Sequence, residues 1–125
     1  MFLNLKSKVL TLVLFIGGMC PTFVCADNFE DAVNAINSQN YKTAFNMIVP
    51  LAEKGQTAAQ LVLAMMYFKG TGVDKNIVEA DKWLLISEKL GQEAGKKNRI
   101  FVERKMNKDQ KVKAQQLAES WLQKR

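Results

Sequence analysis

Two stretches, residues 44–58 and 80–94, are copies of one pattern: Ala44, Gly55, Gln56 and Ala58 recur 36 positions later as Ala80, Gly91, Gln92 and Ala94. Met47, Ile48 and Val49 are matched at the same offset by Trp83, Leu84 and Leu85, so apolar character repeats together with identity. A partial third copy, Ala118-x-x-Trp121-Leu122, follows after a further 38 residues. A period in the thirties marks a helical hairpin that cannot bury its apolar face alone and stacks on copies of itself. Such a chain favours a binding scaffold over a catalyst.

The spacing of apolar residues places the helices. Phe29, Ala32, Val33 and Ile36 form one stripe over 28–37, with Asp27 or Asn28 available as its cap. A second helix starts at Asn40, carries Tyr41, Ala44, Phe45, Ile48, Leu51 and Ala52 on one face, and stops at Gly55. Pro50 lies inside it and predicts a kink or tightened turn near Asn46 and Met47. The third helix, 57–69, is apolar nearly all round and belongs between two neighbours. Gly70-Thr71-Gly72-Val73 is a stop and turn before a fourth helix at 77–90. A fifth, at 92–106, is weakened by Gly95. Asn107 with Gln110 three residues on resembles a capping box for a sixth, which carries Val112, Ala114, Leu117, Ala118, Trp121 and Leu122. No stretch alternates with a period of two. The expected fold is all-α, a short α-solenoid of about three stacked antiparallel helical hairpins.

The beginning of the chain stands outside the repeat. Lys6 and Lys8 precede an apolar run at 9–16, then Gly17 and Gly18, and Val24-Cys25-Ala26 offers small residues at the −3 and −1 positions of a cleavage site. This is the layout of a secretory signal peptide, 1–26, and the run is too short to span a bilayer. Export implies a periplasmic or secreted protein. Removal would take both cysteines, Cys20 and Cys25, leaving no thiol and a domain, 27–125, held by packing alone. It would also leave 16 basic against 12 acidic side chains, a net of +4.

The unit Ala59-Gln60-Leu61-x-Leu63-Ala64-x-Met66-Tyr67-x-x-Gly70-x-Gly72-Val73-x-x-Asn76-x-x-x-Ala80-x-x-Trp83-Leu84 resembles a Sel-one-like repeat of the tetratricopeptide-like superfamily. Gly91 stands where that repeat closes, and Ala64 replaces its usual glycine with another small residue. The resemblance is strongest over 40–91, with 92–125 read as C-terminal cap helices. It implies an exported interaction adaptor, in the bacterial cell envelope or secreted, with a protein or peptide as partner.

Catalysis lacks material. The chain has no histidine, and Ser38 and Ser120 each have a lysine four residues on rather than the three of a Ser-x-x-Lys site. Asp74-Lys75-Asn76 runs into Ile77 instead of the glycine of a calcium loop, so no metal or other cofactor is expected. Glu79 and Asp81 read as solvated carboxylates, and Gly70-x-Gly72 follows a helix, unlike a phosphate cradle. The expectation is a protein that is not an enzyme.

Tyr41, Tyr67 and Lys69 are the candidate partner-binding residues on a groove. The charge is most uneven over 96–113, where Lys96, Lys97, Arg99, Arg104, Lys105, Lys108, Lys111 and Lys113 face only Glu103 and Asp109. This patch supports the alternative, a peripheral binder of anionic membrane or another polyanion. Nucleic acid is not expected, because Phe101 is the only ring there for stacking. The mass of the exported protein tests the leader: loss of residues 1–26 is expected, and an intact or lipid-modified amino terminus would contradict it.

Overall fold

Gly55 and Gly91 adopt φ of +96° and +95°, so the sequence repeat is also a repeat of backbone geometry. At both, the glycine N–H donates three residues back, to Ala52 O and Glu88 O, and the following glutamine N–H donates five back, to Leu51 O and Ser87 O. Each glycine thus closes a helix with the same left-handed turn, which a side chain would strain.

The structure is a computed structural model that describes the backbone of residues 20–125 and the side chains from Asn28 onward; Lys6, Lys8 and the apolar run 9–16 lie outside the described residues. Six helices follow one another: α1 Cys20–Asn37, α2 Tyr41–Glu53, α3 Thr57–Lys69, α4 Ile77–Lys89, α5 Glu93–Glu103 and α6 Lys108–Gln123. No strand occurs among the described residues. The fold is an all-α helical repeat solenoid in which α1 pairs with α2 and α3 with α4, while α5 and α6 each pack on α4.

Each start is chemically legible. Asn76 Oδ1 accepts from the backbone N–H groups of Val78 and Glu79, both at 3.1 Å, and opens α4. Asn107 and Gln110 form a reciprocal capping box at 2.8 and 2.9 Å and open α6. One boundary departs from expectation. α1, described over Cys20–Asn37, already runs through Asp27 and Asn28, so neither of them is its cap. α2 is continuous through Pro50, which faces solvent, while Ala44, Ile48, Leu51 and Ala52 are buried against the core.

α3 lies between α2 and α4, as its all-round apolar surface demands, and α4 packs in turn against α5 and α6. Ala59, Ala64 and Ala80 are fully buried at these crossings, where small side chains let helices approach closely. Trp83 is buried and meets Trp121 edge to face, ring centroids 5.7 Å apart.

Gly95 proves to be a packing residue rather than a weak point. A Cβ there would stand 2.8 Å from Glu88 N and 2.9 Å from Leu84 O, so α5 rests directly on the backbone of α4. Helix propensity alone predicts that Gly95→Ala stabilises by about 1 kcal/mol. The structure predicts the reverse, a loss of about 1 to 3 kcal/mol from overpacking in a urea unfolding midpoint; a raised midpoint would refute the close approach.

Candidate functional site

Two concavities with different chemistry flank the stack. The first is an apolar groove of about 490 Å³ between α1 and α3, lined by Ile36, Tyr41, Leu61, Val62, Met65 and Lys69 among others. Leu61 and Met65 share one face of α3 with Phe68, and Phe68 meets Phe101 of α5 at 5.7 Å, so the apolar strip continues across the stack. Cations border it: Lys75 lies 5.9 Å from the centre of the Phe68 ring and Lys105 lies 5.7 Å from that of Phe101. Among the described residues no acidic side chain lines the groove.

Of the three residues expected on a groove, Tyr41 and Lys69 come together there. Tyr67 does not. Its ring packs edge to face on Phe45, and burial, then the charges of Glu79 and Glu53, raise its hydroxyl pKa above the ordinary value.

In the expected anionic-ligand patch, Lys96, Lys97, Arg104, Lys105 and Lys108 are exposed and have no ion-pair partner among the described residues. Arg99 is withdrawn from that surface. Its Nε donates to Glu88 at 2.6 Å and its Nη1 to Glu103, two charge-assisted bonds that hold it within the protein. Burial works against its charge, but Glu88 and Glu103 more than offset this and keep its pKa above the ordinary value.

The second concavity, of about 240 Å³, lies between α5 and α6, with Asp81, Leu85 and Lys89 of α4 as its floor. Asp81 is the residue the sequence reading placed wrongly. It is not solvated beside Glu79, which pairs instead with Lys82 at 2.9 Å; it is only 2% exposed and its Oδ1 has no hydrogen-bond partner among the described residues. Burial, with Glu103 adding to it, raises its pKa from 3.8 to about 6, against the opposing pull of Arg99 and Lys111. A signal was present: Asp81 stands four residues after Ile77 and three before Leu84, a carboxylate inside the apolar stripe of α4.

No family model matches the chain, and no curated protein matches it in sequence. Its structure is similar to the crystal structure of c5321, a protective antigen present in uropathogenic Escherichia coli strains and displaying an SLR fold, with a TM-score of 0.72 and 26% identity over 79% of this chain. The chain has the Sel-one-like repeat fold. It spans 22% of that antigen's length.

In this fold α3 and α4 are the two helices of the central repeat, and Asp81 lies one residue after the repeat's buried alanine, Ala80. In the third copy Glu119 follows Ala118 in the same way and lines the same cleft. The first copy has Phe45 at the equivalent place. The Sel-one-like scaffold therefore accepts an apolar side chain where this chain keeps a buried acid, at a cost to its own stability.

The sign of that cost follows from linkage. The folded chain holds the Asp81 proton more tightly than the unfolded chain, so the penalty is absent below the ordinary value of 3.8, grows as pH rises towards about 6, and is complete above it. Asp81→Asn is expected to raise stability by about 2 kcal/mol at neutral pH, with the gain vanishing towards about pH 4. Thermal unfolding across that range checks this, and a variant less stable than the parent at neutral pH would contradict it.

Proposed function

We propose that this protein is an exported, non-catalytic interaction module of the Sel-one-like repeat type, working in the cell envelope or outside the cell. Its α1–α3 groove takes an apolar peptide segment flanked by acidic side chains. The observation that carries the reading is the groove itself: Leu61, Val62 and Met65 form an apolar floor, while Lys69 at its edge and Lys75 and Lys105 along the strip leave the surroundings positive. Apolar anchors supply affinity and rim charges select and orient, which is how groove-bound segments divide the work. The likeness to an SLR-fold antigen supports a binding role, because stacked hairpins present extended surfaces suited to other chains. The layout of residues 1–26 supports export.

The exposed cations Lys96, Lys97, Arg104, Lys105 and Lys108 favour a second reading, adhesion to an anionic membrane surface. Among the described residues no helix is long and apolar enough to cross a membrane, so such adhesion would be peripheral.

Titration with an amphipathic peptide carrying leucine anchors and glutamate flanks, monitored by amide chemical shifts, separates the two. The expected result is saturable binding with shifts along α1 and α3, weakened at least roughly tenfold by Lys69→Glu and by lysine in place of the peptide's glutamates. Equal binding of the lysine-flanked peptide, or retention on phosphatidylglycerol vesicles at physiological salt without peptide binding, would overturn the groove reading.

A further inference from the structure

The cleft between α5 and α6 is unlike the groove in every respect that bears on a ligand. Asp81 lines it with a carboxylate that is almost fully withdrawn from solvent and whose Oδ1 has no hydrogen-bond partner among the described residues. A buried acceptor left so is costly, and a ligand donor that engages the carboxylate offsets part of that cost. The remaining lining balances charge, with Asp81, Glu103 and Glu119 against Lys89, Arg99 and Lys111. Since Arg99 is already committed to Glu88 and Glu103, Lys111 is the cation left to face Asp81 across the cleft, near enough to pull on its proton. Leu85 and Leu122 supply apolar wall between these poles.

A lone cation would meet Lys111 and Lys89, and a lone anion would meet Asp81 and Glu119. A metal ion also lacks its donor set, because no group of three or more suitable side chains gathers among the described residues. A molecule bearing both signs meets neither objection. At about 240 Å³ the cleft is also smaller than the roughly 300 to 1,000 Å³ typical of sites for larger organic ligands.

We propose that this cleft binds a small free amino acid with an apolar side chain, its ammonium donating to Asp81, its carboxylate accepting from Lys111, and its side chain against Leu85 and Leu122. The site is separate from the α1–α3 groove and does not depend on the function proposed for it. It also accounts for the buried acid: a carboxylate that destabilises the free protein is retained because it recognises the ligand's ammonium.

The ammonium contact requires Asp81 ionised. The groups facing it are Glu88 and Lys89 from α4, Arg99 and Glu103 from α5, and Lys111 and Glu119 from α6. Affinity therefore falls as pH drops through the Asp81 value of about 6.

The experiment is titration of the folded protein with L-leucine, leucinamide and N-acetyl-leucine, followed by amide shifts in α4, α5 and α6. Leucine is expected to saturate by about 10 mM, with leucinamide and N-acetyl-leucine each at least roughly tenfold weaker. Asp81→Asn and Lys111→Gln should each weaken leucine binding by a similar factor, the former while raising stability and the latter at an exposed position that leaves folding intact. Absence of leucine-induced shifts, leucinamide binding as well as leucine, or undiminished binding by either variant would overturn the proposal.

Discussion

The burial of α4 on three sides is the constraint on which the remaining architecture rests. Ala80, Trp83, Leu84 and Ile86 are withdrawn from solvent together, and the helix touches α3, α5 and α6 at once. A helix of 13 residues is marginal in water, so α4 persists because its neighbours complete it. Trp83 joins it to α6 through Trp121, whose indole N–H donates to Glu53 at 2.7 Å near the end of α2. Arg125 covers the Trp121 ring at 4.5 Å and donates to Lys54 O. The end of the chain is thereby fastened to an earlier hairpin through the aromatic pair.

Because α5 and α6 both take their support from α4, a cleft is left between them, whereas α2, α3 and α4 follow one another in direct contact. Gly95 sets how deeply α5 sits on one flank, and Ala114 and Ala118, fully buried, do the same for α6 on the other. The cleft opens over the one place in α4 where the apolar stripe is interrupted by a carboxylate. Sequences generally avoid a buried acid without a partner, and departures from that rule concentrate where binding needs them. In this chain the stabilising device and the candidate ligand site share a single helix.

The fold was legible because the forces behind it are local or periodic. The 36-residue offset, the all-round apolar character of α3 and the Asn107–Gln110 box each state their consequence within a few residues, and the helices appear where they indicate. The site was less so. Tyr41 and Lys69 reach the groove, but Tyr67, one turn or less from Met65 and Lys69, faces Phe45 instead, since a helix sends neighbouring residues to different sides. Arg99 looked like part of a basic run until Glu88, eleven residues away, claimed it. Asp81 was paired by sequence with Glu79, although residues two apart on a helix do not share a face. Gly95 read as a flaw because propensity describes a lone helix, while the glycine serves a contact between two.

Native-state hydrogen exchange tests most directly the claim that α4 supports its neighbours. The account predicts that amides in the middle of α4, around Trp83 and Leu84, exchange only through global unfolding, with α5 and α6 opening at lower free energy while α4 remains closed against α3. If α4 amides instead exchange through a smaller opening while α6 stays protected, α4 is not the element on which the stack rests.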